Sequence, residues 1–284
     1  MTLFFFLLRS FLIALLIVAS ACYVFFCPPV LTTIIPGLIL LPRAPGVEYQ
    51  FTKLDGIERE EVRFKTSSGE MLNGWYFRSK DPSAKVLLFN HGSGGNIGEC
   101  LLSVKRFLDH GLSVFVYDYR AFGKSQGQKS VAGTLDDSEA AYNYLVEELK
   151  VDPNKLIIYG MSYGGATACH LAEKKAASAL ILESSFASLL SAARKRMPYF
   201  QAYPEFLAAN PPLDNSLALK HKTMPLLIIH GANDPVIPVS EAEENFKAAS
   251  NPKRILVLKH SGHFVSDLDM TSYQSELASF FRRL

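Results

Sequence analysis

Short apolar runs that alternate with helical stretches constrain the fold of this chain more than any other feature of its sequence. Such runs lie at residues 85–90, 113–117, 155–159, 179–182, 226–230 and 254–258. Because each run is nearly continuous, it is typical of a strand buried on both faces, as in a parallel sheet. Apolar residues at helical spacing fill the intervals, for example at residues 135–149. The alternation predicts an α/β protein whose parallel sheet is covered by helices on both faces.

Two further strands are predicted ahead of this pattern. Residues 62–66 and 72–78 flank a Ser-Gly turn and are typical of an antiparallel hairpin. With this hairpin the predicted sheet has eight strands and is mostly parallel. We expect one folded domain at residues 60–284, a length that a single hydrophobic core can serve. Ligands of such sheets bind at the carboxyl ends of the strands, which is where candidate site residues are expected.

The N-terminal segment is strongly apolar. Arg9 is the only charged residue between positions 2 and 27. This predicts that residues 1–28 form an uncleaved signal anchor, a transmembrane helix that makes the chain a single-pass membrane protein. Two alternatives stay open, namely cleavage after the small residues Ala19–Ala21 and lipidation of Cys22. The side of the membrane on which the folded part lies is also left open. Residues 29–59 are expected to form a membrane-proximal linker.

Charge and cysteine usage argue against several functions. The net charge is +2, so the chain has no electrostatic footprint for nucleic acid. The cysteines at positions 22, 27, 100 and 169 form no CxxC pair or Cys/His cluster with the spacing of zinc ligands. The glycine-rich stretch at residues 92–95 lacks the Lys-Ser/Thr ending of a phosphate-binding P-loop. We therefore expect no nucleic-acid partner, no metal and no cofactor.

A strand–turn–helix motif at Gly160–Gly164 is the first candidate for chemistry. Its sequence is Gly-Met-Ser-Tyr-Gly, with an apolar strand before it and helix-forming residues after it. A serine on such a turn is held at positive φ among crowded neighbours, and glycine on either side removes the Cβ atoms that would clash. The motif predicts Ser162 as a nucleophile, although five residues alone are a weak signal.

A nucleophilic serine needs a base and an acid that orients the base. His263 lies in a Ser-Gly-His-Phe loop after the last predicted strand and is preferred over His260 in the same loop. Asp234 follows another strand, although its Asn-Asp-Pro context is also ordinary turn chemistry. Glu183, directly after a neighbouring strand, is the rival acid. The chain order Ser162, Asp234, His263 is the one expected when the nucleophile follows a central strand and its partners follow later ones.

Backbone N–H groups that could bind an oxyanion are predicted at two positions. Tyr163, directly after the serine, provides one of them. Ser93 lies in the glycine-rich loop after the strand at residues 85–90 and is the candidate for the other. A glycine-rich loop suits this role because its N–H groups are unhindered by side chains.

These motifs together resemble the α/β-hydrolase superfamily, and most closely the Bem46-like group with its ABHD13- and ABHD17-type members. The resemblance runs from about residue 60 to the end of the chain. Its matching stretches are residues 69–76, 89–96, 117–127, 160–165, 230–238 and 262–263. Ala121 departs from the group, which often has glycine there. The resemblance implies the α/β-hydrolase fold with a small cap at about residues 185–222, favours Asp234 over Glu183, and implies anchoring by an N-terminal apolar segment.

The activity implied by this resemblance is hydrolysis of carboxylic esters or thioesters by a serine esterase that forms an acyl-enzyme. Expected substrates are small-molecule or lipid-like acyl esters and thioesters, and also acylated proteins, beside a membrane. Two alternatives stay open. One is a serine peptidase of the same fold, although such enzymes usually carry a large additional domain. The other is a catalytically silent, membrane-bound interaction protein, which would have a degraded triad or a blocked oxyanion loop.

Overall fold

The strands of the protein are short, and five of them are buried along their whole length. The structure, a computed structural model, describes residues 2–26, 40–42, 49, 54, 57–196, 201 and 211–284. Its strands are β1 (Leu41–Pro42), β2 (Glu60–Lys65), β3 (Met71–Phe77), β4 (Val86–Asn90), β5 (Gly94–Gly95), β6 (Ser113–Tyr117), β7 (Leu156–Met161), β8 (Ala179–Glu183), β9 (Leu226–Gly231) and β10 (Lys253–Leu258).

Helices occupy most of the intervals between the strands. They are α1 (Thr2–Phe26), α2 (Leu101–Leu108), α3 (Val131–Asn143), α4 (Gly164–Lys174), α5 (Leu189–Arg196), α6 (Asn215–Lys220), α7 (Val239–Ala248) and α8 (Met270–Phe281). Side-chain caps fix where some of them begin. The Ser130 hydroxyl accepts from Gly133 N at 3.1 Å ahead of α3, and this satisfies an N–H that has no partner inside the helix.

One twisted sheet organises these elements. Its strand order is β10-β9-β8-β7-β4-β6-β3-β2, and all neighbouring pairs are parallel except those that β3 makes with β2 and β6. The predicted α/β class and the mostly parallel eight-stranded sheet are therefore confirmed. A second, two-stranded pairing of β1 with β5 lies outside this sheet.

Both faces of the central strands of the sheet are buried, which explains the continuous apolar runs of those strands. Along β7, Ile158 packs in one core cluster together with residues of α3 and α4. Ile157 and Tyr159 pack in the other cluster, together with Phe107 of α2 and Tyr273 of α8. Successive side chains of a strand point to opposite faces, so a strand between two helical layers is apolar at every position.

Helix α1 is the element that the sequence predicts to span a membrane. Among the described residues, however, none of the helices has the length and apolar character needed for crossing a membrane. For the residues described, the expectation of a single-pass membrane protein anchored through residues 1–28 is therefore wrong.

Two other predicted segments lie partly outside the described residues. The expected linker at residues 29–59 is described at residues 40–42, 49, 54 and 57–59, where Leu40 and Tyr49 are buried against the domain. The expected cap at about residues 185–222 is described except for residues 197–200 and 202–210. Its described part contains α5 and α6.

Candidate active site

Ser162 occupies a sharp turn between β7 and α4. Its φ is +55°, a left-handed conformation that costs a residue with a side chain on the order of 1 kcal/mol. The turn is held because Ser162 N donates to Glu183 O at 2.8 Å on the neighbouring strand. Glycine is required on both sides of the serine. A Cβ at Gly160 would lie 2.3 Å from Gly164 O, and a Cβ at Gly164 would lie 2.1 Å from Asn90 O.

His263 reaches the serine from the loop that follows β10. Its Nε2 lies 3.1 Å from Ser162 Oγ. This loop is fixed by Asp269, whose Oδ2 accepts from His260 N at 2.7 Å and from Ser261 Oγ at 2.6 Å. The imidazole is therefore held within hydrogen-bonding distance of the hydroxyl whose proton a general base would take.

Asp234 orients the other side of the imidazole. Its Oδ2 lies 2.7 Å from His263 Nδ1, and its Oδ1 accepts from Val236 N at 2.7 Å and from Ile237 N at 2.9 Å. Burial acts to raise the pKa of Asp234, but hydrogen bonds from His230, His263 and Ile237 N outweigh it and hold the pKa well below its usual value. The carboxylate is therefore ionised and can accept a proton-bearing Nδ1.

The two residues predicted to provide oxyanion donors belong to segments that adjoin the serine. Tyr163 begins the turn into α4, where backbone N–H groups have no partner inside the helix. Ser93 lies in the loop after β4. This loop lies close to the serine, as shown by the distance of 3.6 Å from a Cβ built on Gly92 to Ser162 Cβ. Within the described part of the chain, no backbone hydrogen bond uses the N–H of Tyr163 or of Ser93.

The rival residues lie elsewhere. The Glu183 carboxylate accepts from Tyr273 OH at 2.8 Å, and burial raises its pKa despite that bond. His260 is exposed, and His91 is buried with its Nδ1 2.7 Å from Gly92 O. Burial lowers the pKa of His91 to about 4, so this imidazole is neutral at neutral pH. Of the candidates, the structure brings together Ser162, His263 and Asp234.

His230 is a contact of the site that sequence reasoning missed. Its Nε2 lies 2.9 Å from Ile237 O and 3.4 Å from Asp234 Oδ2. Because a carbonyl oxygen can only accept, this Nε2 must carry the proton, and the N–H is shared between the carbonyl and the carboxylate. The available signal was the position of His230 at the end of a strand, four residues before Asp234. Among the described residues, no group of three or more His, Cys, Asp or Glu side chains could hold a metal ion.

An eight-stranded, mostly parallel sheet with helices on both faces, and with a serine on a sharp strand–helix turn at its carboxyl edge, defines the α/β-hydrolase class. The family model of the alpha/beta hydrolase fold matches residues 85–219. The Pyrococcus furiosus esterase Pf2001 superposes with a TM-score of 0.71 at 22% identity, over 86% of this chain and 98% of the esterase. Similarity at that identity shows the fold.

Two relatives in sequence define the group more closely. The Escherichia coli K12 protein YfhR is 31% identical over 235 residues, which cover 78% of this chain and 80% of YfhR. The Schizosaccharomyces pombe protein bem46 is 31% identical over 187 residues, which cover 64% of this chain and 62% of bem46. The chain belongs to the α/β-hydrolase family, in its Bem46-like group.

The glycine requirement of the turn can be tested with Gly160→Ala. The new methyl group would meet Gly164 O and Ala168 Cβ at 2.3 and 2.6 Å, so β7 and α4 must separate. We expect a loss of about 3 kcal/mol in the free energy of unfolding, measured in urea.

Gly69→Ala is the control, because Gly69 has φ +96° but nothing within 4 Å of its Cβ position. The control should lose only about 1 kcal/mol of backbone strain. Equal losses in the two variants would contradict the packing argument.

The ionised state of Asp234 predicts a pH dependence of stability. Because the folded pKa lies below the unfolded value of about 3.9, the carboxylate stabilises the fold above about pH 4. That contribution is lost as the pH falls through the folded pKa. The excess stability of the wild type over Asp234→Asn should therefore shrink as the pH falls below about 4. Urea unfolding at each pH measures it, with the exposed Asp109→Asn as control. An excess that grows below about pH 4 would overturn the assignment.

Proposed function

We propose that this chain is a serine hydrolase that cleaves carboxylic esters or thioesters. Ser162 is the nucleophile, His263 the general base and Asp234 the acid that orients it, while the N–H groups of Ser93 and Tyr163 bind the oxyanion. One observation carries the proposal. A continuous hydrogen-bonded chain runs from Ser162 Oγ to His263 Nε2 at 3.1 Å and from His263 Nδ1 to Asp234 Oδ2 at 2.7 Å.

The mechanism follows from this arrangement. Ser162 Oγ attacks the substrate carbonyl carbon while His263 Nε2 takes the hydroxyl proton, and Asp234 stabilises the imidazolium that forms. The carbonyl oxygen becomes an oxyanion, which the two N–H groups stabilise. When the tetrahedral intermediate collapses, the imidazolium returns the proton to the leaving alcohol or thiol. His263 then takes a proton from water, which attacks the acyl-enzyme, and the acid is released with Ser162 restored.

The cap is proposed at about residues 185–222, between β8 and β9 at the carboxyl edge of the sheet. Its first helix, α5, is tied to the helix that follows the Asp234 loop. Lys195 Nζ lies 2.6 Å from Glu241 Oε1 and 2.8 Å from Glu244 Oε1. Glu241 is completely buried, so this ion pair fixes the base of the cap to the catalytic domain. We infer that the cap bounds the substrate site on this side.

Apolar side chains beside the triad support an acyl substrate with apolar groups. Phe264, next to His263, is 68% exposed, and Val236, two residues after Asp234, is 44% exposed. Single exposed apolar residues are common on protein surfaces, but these two lie within two residues of His263 and Asp234 in the chain. Small-molecule or lipid-like acyl esters and thioesters, and acylated proteins, are the substrate classes proposed.

Labelling with a fluorophosphonate probe tests the nucleophile. We expect the wild type to form a stable adduct and Ser162→Ala to form none, because only an activated serine hydroxyl reacts with this probe. Ester turnover by Ser162→Ala should fall by at least about 10⁴-fold. The exposed Ser83→Ala serves as control and should label as the wild type does. A folded wild type that remains unlabelled would contradict the proposal and favour a catalytically silent interaction protein.

A substrate panel separates esterase from peptidase activity. It contains p-nitrophenyl esters, acyl thioesters of graded length and the matching p-nitroanilides, which have an amide in place of the ester. We expect turnover of esters or thioesters and little turnover of anilides. A preference for the anilides, expressed as kcat/KM, would instead support a peptidase of this fold.

A further inference from the structure

Residues ahead of the main sheet contact the loop that contains Ser93. We call residues 91–96 the oxyanion loop and the described residues 40–42 and 49 the strap. Leu41 N donates to Ser93 O at 2.7 Å. Leu41 and Pro42 also pair in parallel with Gly94 and Gly95. The strap therefore holds the middle of the oxyanion loop through the backbone of the residue that is proposed to bind the oxyanion.

The strap is itself anchored in the core of the domain. Leu40 is completely buried in the larger of the two core clusters. Tyr49 packs edge-on against Trp75, with ring centroids 4.7 Å apart. By contrast, the side chain of Leu41, between these two anchors, is 58% exposed. The contribution of Leu41 thus comes from its backbone N–H, whereas Leu40 and Tyr49 contribute packing.

The Tyr49 hydroxyl joins the strap to the far end of the oxyanion loop. It donates to Asp118 Oδ2, and it accepts from Asn73 Nδ2 at 3.0 Å and from Lys124 N at 3.2 Å. Asp118 Oδ1 accepts from Ile97 N at 2.9 Å, at the first residue after the loop. Asp118 is completely buried, so its carboxylate depends on these donors for its hydrogen bonds.

The environment of Asp118 leaves little room for other donors. Burial raises the pKa of Asp118 to about 6, while the bonds from Tyr49, Ile97 N and Lys124 N act to lower it. A Cβ on Gly123 would lie 2.2 Å from Asp118 Oδ2, so this glycine lets the backbone close over the carboxylate. Without the Tyr49 hydroxyl, both Asp118 Oδ2 and Asn73 Nδ2 would lose a partner in a buried site. The loss of these partners favours a rearrangement around the Asp118 carboxylate. Because Ile97 N donates to the same carboxylate, the rearrangement would reach the end of the oxyanion loop.

We propose that the strap positions the oxyanion hole, with Leu41 and Tyr49 as positioning residues for Ser93. This inference rests on the proposed function, since it assumes that Ser93 N–H binds the oxyanion. An oxyanion donor contributes only when it lies about 2.7–3.1 Å from the charged oxygen. A loop displaced by about 1 Å can lower the rate by up to about 10²-fold without loss of the fold. Residues outside the catalytic strands thus set the geometry on which the rate depends.

Tyr49→Phe in the full chain tests this inference, because it keeps the ring against Trp75 and removes the hydroxyl. The readout is kcat/KM for a p-nitrophenyl ester and for its thionoester, in which sulfur replaces the carbonyl oxygen. Sulfur is a weak hydrogen-bond acceptor, so a thionoester gains less from the oxyanion hole. We expect kcat for the ester to fall about 10-fold with KM nearly unchanged, and the ester-to-thionoester ratio to fall as well. Tyr142→Phe should keep the ester-to-thionoester ratio of the wild type.

Tyr142 is the control because it is a buried tyrosine whose hydroxyl donates to a backbone oxygen, Ala176 O at 2.7 Å, away from the oxyanion loop. Leu41→Pro is the second variant. It removes the N–H that donates to Ser93 O, at a position with an exposed side chain, and it should lower the same ratio. The active fraction of each preparation is measured by titration with the fluorophosphonate probe.

The outcomes separate the two proposals. If Tyr49→Phe and Leu41→Pro lower the melting temperature but leave the ester-to-thionoester ratio unchanged, the strap is structural and this inference is overturned, while the proposed function stands. If the wild type hydrolyses neither substrate and is not labelled, the proposed function fails and the inference fails with it. A lower ratio in either variant, with the ratio of Tyr142→Phe unchanged, supports the strap as a positioning element.

Discussion

The close contact of α4 with β4 and β7 is the constraint on which the site depends. Gly160 and Gly164 let the helix approach the two strands so closely that a methyl group at either position would overlap backbone atoms. This approach forces the chain to reverse within Ser162 and Tyr163, and the reversal places Ser162 at positive φ. The hydroxyl is therefore held at the carboxyl edge of the sheet, and Tyr163 follows it at the start of α4. A looser contact would relax the turn and lose both features together.

Strand order then brings the remaining groups to the serine. The strand order β7-β8-β9-β10 runs outward from Ser162, and neighbouring strands lie about 4.8 Å apart. Asp234 follows β9 and His263 follows β10, so the loop of His263 must fold back over that of Asp234 to reach Ser162. The imidazole spans this gap, with one nitrogen on each partner. Buried donors around Asp234, including His230, keep its carboxylate oriented for this purpose.

Much of this architecture could be predicted from the sequence, because the central strands of the main sheet are buried on both faces. The strand at residues 113–117 was predicted with its observed bounds, and Ser162, His263 and Asp234 were predicted at the ends of their strands. The start of α3 was predicted at residue 135, but the helix begins at Val131. Its first turn is set by the cap at Ser130 and contains Gly133, so that turn lacks a clear helical pattern.

Contacts between distant segments could not be predicted. The pairing of Leu41–Pro42 with Gly94–Gly95 involves sequences that have no strand propensity, and it exists because buried anchors bring the segments together. The bond between Tyr49 and Asp118 joins residues 69 positions apart, and neither residue carries a local signal of its partner. The N-terminal segment shows a different limit, since composition alone predicted a membrane span there, whereas no described helix qualifies as one.

The structure of the phosphonate adduct would test the central claim most directly. It shows at once which residue attacks and which groups surround the oxygen that mimics the oxyanion. We predict a bond from Ser162 Oγ to phosphorus, with the phosphoryl oxygen about 2.7–3.1 Å from the N atoms of Ser93 and Tyr163. His263 Nε2 should lie near the oxygen that represents the leaving group. An adduct on another residue, or a phosphoryl oxygen turned away from both N–H groups, would contradict the account.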